Sequence, residues 1–522
     1  MRVLGAWIVV ALLIRPADAG DPGRGVVDRG PRALAARIDA RLEACWAGAN
    51  VRPVARADDG EFLRRASLDL IGRIPNAAEA RDFLDDPNPE KRAALVDRLL
   101  DSPAYAARAT TLWRQLLLPE TETGGLAGVA SGGLEVWLRK KVDEGAGYDQ
   151  IVREILTARL DARGEAMALG VVQSEPSPAA FFAVKGGKPE TLAADSARAF
   201  LGLRLECAQC HHHPFAKWKR EEFWGFAAFF AGVPQAETDG AVVGAPRIEP
   251  GRRELTIPGT ATVVAAAHLD RSPPAWRPRA DTRQVLAEWI TAPENPYFAR
   301  AAVNRTWARF FGVGLIDPVD DLDAVDNAEL GALLNDLAGE FRAGGYDLKH
   351  LIRALTATRA YNLSSAVAPA ESSSPPPLFA RMPVRGLSST QFVDSLARAT
   401  GADAGATRAR FLELFADRDQ PPTEAQTSIL QALTLMNGSF VAAATTPETG
   451  DILGAVAEAP YLDTAGRVEV LYLAALTRRP RPEELALVVD YVDRREDEAD
   501  RARALADAFW AILNGPEFRL NH

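Results

Sequence analysis

Over most of its length this chain returns an apolar residue every third or fourth position, and that spacing confines it to a mainly helical fold. Asp58-Asp59 precede Phe62, Leu63, Ala66, Leu68 and Leu70, an acidic N-cap opening a helix. Lys91 to Leu100 and Tyr148 to Leu160 repeat the pattern through Leu95 and Leu99, and through Ile151 and Ile155. Two glycine- and alanine-rich stretches, Thr121 to Gly133 and Asp161 to Gly170, read as loops. Residues 233–280 change character. There Arg253 to Ile257, Pro258-Gly259 and Thr260 to Ala266 spell a small β-hairpin. Helical spacing resumes at Asp281, and Ser372 to Pro377 is a Pro/Ser linker. A chain of 522 residues is too long for one core. The expected fold is therefore mainly α: two helical domains with a small β-hairpin insertion between them.

The N-terminus reads as an export signal. Arg2 carries the positive charge, Val3 to Ile14 form an apolar run, and Ala17-Asp18-Ala19 supplies a cleavage site before Gly20. The run is too short to cross a bilayer, which takes about 20 residues. Residues 1–19 are thus expected to leave a periplasmic or otherwise extracytoplasmic chain with no transmembrane anchor. Its parts are then 30–232, a β-containing linker at 233–280, and 281–522. A formal net charge of −10 with dispersed Lys and Arg leaves no footprint for nucleic acid. Three cysteines allow at most one bridge, so this is not a disulfide scaffold.

Two of those cysteines fall in Cys207-Ala-Gln-Cys210-His211. Thiols three residues apart on one turn can each form a thioether to a haem vinyl group, and the adjacent imidazole then reaches the iron. Cys207, Cys210 and His211 are therefore the expected attachment residues for haem c. His213 lies at most about 7 Å along the chain from His211, so it shares the same haem side. His268, His350, Met382 and Met436 remain for the far side, or that position is open. A smaller metal site, zinc or another transition metal, fits the same sulfur and imidazole donors: Cys207, Cys210, His211 and His213, with a further ligand such as His268. A Cys207–Cys210 disulfide is the third use of the pair.

Around the motif, Phe223, Phe226, Ala227 and Phe230 recur at helical spacing until Gly232 and Pro234. They read as ordinary core or as walls for a haem. Lys217, Lys219 and Arg220 read as a solvated face or as partners for propionates. Asp317, Asp320, Asp321, Asp323 and Asp326 lack the central Gly and closing Glu of an EF-hand, which favours helix capping near Asn327 over calcium. Asn304, Arg305 and Trp307 suit a ligand groove or a structural anchor. No Walker A, G-x-G-x-x-G, G-x-S-x-G or H-E-x-x-H motif occurs.

Asp58-Asp59-x-x-Phe62-Leu63-Arg64-Arg65-x-x-Leu68-Asp69-Leu70-x-Gly72-Arg73-x-Pro75 resembles the opening of domain of unknown function 1549, a planctomycete-type, cytochrome-like domain. So do Cys207 to Phe215 with Trp218, Phe223-Trp224-Gly225 and Ala227 to Phe230. The second half is similar to that family's usual fusion partner, domain of unknown function 1553. The matching stretches are Ala302-Val303-Asn304-Arg305-x-Trp307, Gly314 to Asp321, Gly345 to Arg353, Leu435-Met436-Asn437-Gly438 and Pro516-Glu517-Phe518. Where the first family commonly has Asp after the motif histidine, this chain has His212. The resemblance implies a cytochrome label but no activity. The leading reading is an exported c-type haem protein exchanging electrons with a periplasmic redox partner. Beside it stand a non-redox binding or scaffold protein with a structural Cys/His metal site or disulfide, and an accessory to extracytoplasmic glycan degradation.

Overall fold

Asp58 opens its helix as the sequence predicts, accepting the Glu61 N–H at 2.8 Å, and Gly72 closes it at φ 75°. The computed structural model describes residues 29–119, 126–160, 176–214, 216–235, 249–278, 280–324, 327–366, 377–403, 405–414, 423, 433–434 and 436–522. The leader at 1–19, the loop at 161–170 and residues 372–376 of the linker lie outside them.

The first half supplies α1 (Pro31–Gly48), α2 (Asp59–Ile71), α3 (Ala77–Asp85), α4 (Lys91–Leu100), α5 (Pro103–Leu117), α6 (Leu126–Asp143), α7 (Tyr148–Leu156), α8 (Ala180–Val184), α9 (Pro189–Ser196) and α10 (Arg220–Ala227). The second half supplies α11 (Thr282–Ile290), α12 (Phe298–Phe311), α13 (Ala328–Ala343), α14 (Leu348–Ala357), α15 (Ser389–Thr400) and α16 (Gly405–Leu414). It ends with α17 (Ser439–Ala444), α18 (Asp451–Ala457), α19 (Thr464–Leu476), α20 (Pro482–Asp493) and α21 (Glu498–Asn514). The mainly α expectation holds. The hairpin also forms where expected: β1 (Glu254–Thr256) pairs antiparallel with β2 (Val263–Ala265), Glu254 opposite Ala265.

Two features depart from the sequence reading. Residues 126–133, expected as loop, begin α6. Leu134, Trp137 and Leu138 of α6 are buried and the helix packs on α5, which outweighs a glycine cost of about 1 kcal/mol each in a helix. A second antiparallel pair joins β3 (Arg385–Gly386) to β4 (Leu520–Asn521). Strands of two residues carry no periodicity to read.

Packing divides the molecule into two cores. The larger runs from Leu34 to Met382 and takes residues from both sides of the 233–280 segment, with Ile257, Ala266 and Leu269 of that segment inside it. The smaller gathers Phe392 to Phe518. α2 serves both: Phe62, Leu63, Ala66 and Leu70 face the larger core, while Leu68 and the following Ile74 join the smaller. Its charged side chains are buried too. The Arg64 guanidinium donates to the carbonyls of Ala475 (3.0 Å), Glu517 (3.3 Å), Phe518 (2.7 Å) and Leu520 (3.1 Å). Burial pulls its pKa down to about 10, so it stays ionised. Arg65 donates to the Tyr361 and Leu363 carbonyls and to Glu61. Asp69 accepts from the Tyr361 hydroxyl, Arg385 and Asn521. A buried charge survives only when paired or fully hydrogen-bonded, and the acceptors of Arg64 all lie between Ala475 and Leu520, at the far end of the chain. Among the described residues no helix is long and apolar enough to cross a membrane.

Candidate functional site

The chain reaches Cys207 through an irregular helix. α9 stops at Ser196 and continues as a π-helical turn, Ala197–Leu201, closed by Gly202 at φ 63°. A wide turn of this kind leaves carbonyls without their usual donors. Arg305 of α12 donates to the Ala199 carbonyl at 2.8 Å and to the Arg198 carbonyl at 2.9 Å, the latter shared with the Gly202 N–H at 3.3 Å, and it also pairs with Asp320. Gly202 is needed for space as well as for its backbone angle, since an added Cβ would lie 3.0 Å from Leu322 Cγ. The π-helical turn interrupts the segment from Ala194 to Leu205, and its buried residues Ala199, Phe200 and Leu203 belong to the larger core.

Glu206–Gln209 then form one 3₁₀ turn. Ala208 is fully buried and pins the turn, while Cys207 and Cys210 on either side are exposed free thiols. Two donors from α10 hold the Gln209 carbonyl: Trp224 Nε1 at 3.0 Å and Arg220 Nε at 3.3 Å. The other end of the Arg220 guanidinium donates to the Pro258 carbonyl at 2.8 Å, tying the turn to the hairpin.

The three imidazoles have different roles. His211 Nδ1 lies 2.7 Å from the His212 carbonyl. A carbonyl only accepts, so the His211 proton sits on Nδ1 and the lone pair is left on Nε2, the arrangement that orients a histidine ligand. His212 Nδ1 accepts the Arg220 N–H at 3.1 Å, a donor at the first turn of α10 that has no partner within the helix. The Asp common in the resembling family would accept the same N–H and add a favourable charge at the helix N-terminus. His213 Nδ1 accepts the Ala216 N–H at 2.9 Å, which places its proton on Nε2 and commits its lone pair to the local turn.

His268 lies elsewhere. Its ring is stacked between Phe229 (centroids 5.3 Å apart) and Trp289 (4.7 Å), beyond the end of α10 opposite to the Gln209 contacts. Ser272 Oγ donates to Asp270 at 2.6 Å and therefore accepts from His268 Nδ1 at 3.0 Å. The lone pair falls on a buried Nε2 that has no partner, and burial holds the ring neutral by lowering its pKa. Met436 is half exposed, Met382 is buried in the larger core, and His350 is half-buried on α14. Among the described residues no group of three or more His, Cys, Asp and Glu side chains is placed to hold a metal ion.

The flanking residues are structural. Phe223, Phe226, Phe229 and Phe230 are buried to within 1% and form core. Lys217 pairs with Asp323 at 3.2 Å, and Arg220 is the clamp just described. Asn304 is fully buried, with its amide bonded to Ile316 through both the carbonyl (2.8 Å) and the N–H (3.0 Å). Asn327 caps α13 through the Glu329 and Leu330 N–H groups, and Asp326 lies outside the described residues. Two cavities, of about 920 and 890 Å³, open elsewhere and include no residue of 206–230.

Residues 37–235 match the family model PSCyt2, described as a protein of unknown function (DUF1549), and residues 282–420 match PSD1, described as a protein of unknown function (DUF1553). The chain carries both domains. No curated protein and no solved structure matches it. Within the PSCyt2 domain the Cys-x-x-Cys-His turn rests on α10, and the π-helical turn before it is capped by Arg305 of the PSD1 domain. Sequence reasoning found the thiols and the imidazole but missed the clamp by Arg220 and Trp224. Neither residue carries a spacing signal, because both act on a backbone carbonyl.

Proposed function

We propose that Cys207, Cys210 and His211 form a c-type haem attachment site and that the chain is an exported electron-transfer protein. Cys207 and Cys210 would hold the group by thioethers and His211 Nε2 would ligate its iron; bound haem supplies one-electron redox chemistry. The observation that carries this reading is the His211 tautomer: its Nδ1–H is spent on the His212 carbonyl, which leaves the lone pair on Nε2 of an exposed ring in the same short segment as two exposed thiols. The turn is braced before any ligand arrives, since the Gln209 carbonyl is held from α10. Bracing limits the entropy lost on attachment. Export rests on the leader-like residues 1–19 and fits a site assembled outside the cytoplasm. An exposed turn also leaves the edge of the group open to a protein partner, which short electron-transfer contacts require.

The test is expression with a haem-attachment system, followed by a haem stain after denaturing electrophoresis and an absorption spectrum. Wild type should give a Soret band and a stained band at full length. The double variant Cys207→Ala/Cys210→Ala should lose the stain, because only thioethers survive denaturation. Wild type without a Soret band, or with zinc or a Cys207–Cys210 disulfide by mass, would replace this reading with the structural-site alternative.

A further inference from the structure

α20 turns apolar side chains to solvent as well as to the core. Val492 is buried, and Leu485, Val488 and Val489 pack on the smaller core, which accounts for the inner face. On the outside Leu487 is 70% exposed and Tyr491, one turn on, is 40% exposed. Glu483 precedes Leu487 by four residues and Arg495 follows Tyr491 by four, so the four side chains share one stripe. The Arg495 guanidinium lies over the Tyr491 ring, 4.7 Å from its centroid, and the Tyr491 hydroxyl is anchored on Asp507 of α21 at 2.8 Å. Glu483 and Arg495 are both exposed, and neither has an ion-pair partner among the described residues. The charges beside them are spent: Arg494 pairs with Asp490 at 2.6 Å, and Glu484 with Arg478 at 2.7 Å. Read backwards, the order acid, apolar, apolar, base is its own complement. Two copies of α20 laid antiparallel with Glu483 opposite the partner's Arg495 also set Leu487 opposite the partner's Tyr491. A two-fold axis then repeats both contacts, and rows of every fourth residue are the ridges that most often interlock between helices.

We propose that the outer stripe of α20 is the surface at which two copies of this chain meet, with Leu487 and Tyr491 at its centre and a Glu483–Arg495 pair at each end. The occupant is a second copy because a partner of different sequence would need no such reversal symmetry in the stripe. The Tyr491 ring is already held by Asp507 and Arg495, so docking costs it little freedom. One helix stripe buries less than the roughly 800 Å² per partner of a standard interface. The dimer is therefore a weak one, with a dissociation constant on the order of 10–100 µM. α20 lies beyond residue 420, where the PSD1 match ends, and the proposal stands or falls independently of the haem reading.

The test is sedimentation velocity of the full chain at rising concentration. About 0.15 M salt screens the repulsion between two chains of net charge −10 beyond ~8 Å. The average sedimentation coefficient should climb from that of a monomer towards that of a dimer. Leu487→Lys, at so exposed a position, should fold and should weaken association at least about tenfold. Glu483→Arg and Arg495→Glu should each weaken it too, because each sets like charges against one another at both ends. Mixing these two single variants should restore association, since the mixed dimer again pairs opposite charges at both ends. Circular dichroism checks that each variant is folded; if either charge variant is not, Leu487→Lys alone decides. A chain that stays monomeric up to about 0.2 mM leaves the stripe to a partner of another sequence and overturns the proposal. So does a dimer that folded Leu487→Lys leaves unchanged, or a mixture of folded charge variants that does not recover.

Discussion

Replacing Arg64 by methionine tests whether the beginning and end of the chain are one structural unit. Methionine keeps most of the aliphatic stem but removes every donor. Four carbonyls lose the Arg64 donor, of which the Glu517 carbonyl keeps the Leu520 N–H, and two of these hydrogen bonds, to Ala475 and Phe518, are fully buried. A buried acceptor left without a donor costs about 1–3 kcal/mol. The Glu517 and Leu520 bonds are partly exposed, so water can replace them at little cost. The expected loss is therefore about 3–4 kcal/mol, a large fraction of the 5–15 kcal/mol typical of a folded domain. Urea unfolding followed by tryptophan fluorescence measures it, with Arg41→Met as control. Arg41 makes an exposed pair with Asp336, and its loss should stay below about 1 kcal/mol. Combining Arg64→Met with Phe518→Ala should give less than the sum of the two losses, because both release the same tail. A loss below about 1 kcal/mol for Arg64→Met, or strict additivity with Phe518→Ala, would refute the reasoning.

Three other outcomes follow from the geometry. Burial pushes the Asp39 carboxyl up from 3.8 to about 6 despite the Arg359 N–H it accepts, so its contribution to stability is present below pH 4 and lost as pH rises through 6. Asp39→Asn should accordingly be more stable than wild type at pH 8 and equal to it at pH 4. The full shift corresponds to about 3 kcal/mol, which solvent at this half-buried site reduces to roughly 1 kcal/mol; melting temperatures at the two pH values check it. His212→Asp keeps an acceptor for the Arg220 N–H but sets a second carboxylate beside Glu221, whose Oε2 lies 3.9 Å from His212 Nδ1, so stability should change by less than about 0.5 kcal/mol, and haem staining should stay as in wild type. Arg305→Leu should remove the side-chain donor of the Ala199 carbonyl, leave the Arg198 carbonyl with the Gly202 N–H alone, and speed amide hydrogen exchange across residues 197–209, while exchange in α20 stays unchanged.

What the sequence revealed is what periodicity encodes. The helices at 91–100 and 148–156 and the hairpin at 254–265 were legible because their apolar residues repeat at fixed intervals. α6 was not, because its glycines argue for a loop until Trp137 is seen packed against α5. Nor were the two cores: a helix such as α2, apolar on one face and charged on another, reads as half-solvated, yet Arg64 is buried under carbonyls more than 400 residues away. At the site, the thiols and His211 announced themselves by spacing. Exposure and tautomer did not, since both depend on which carbonyl happens to sit beside the ring. His268 shows the converse. As a lone histidine it suited a ligand role, and the structure spends both of its faces on Phe229 and Trp289.

Arg64 leaves the ribosome 454 residues before Phe518. At roughly 5–20 residues per second, an interval of roughly 20–90 s separates the two. Throughout that time the guanidinium of α2 cannot be buried, because the carbonyls that receive it have not been made. The usual order, in which an N-terminal domain completes its folding while the rest is still being translated, is closed to this protein. The contacts of α2 are completed only once the tail has been made. The genetic consequence is that a stop codon shortly before Pro516 should cost far more stability than its few missing residues suggest, since it leaves the Arg64 guanidinium with the Ala475 carbonyl alone.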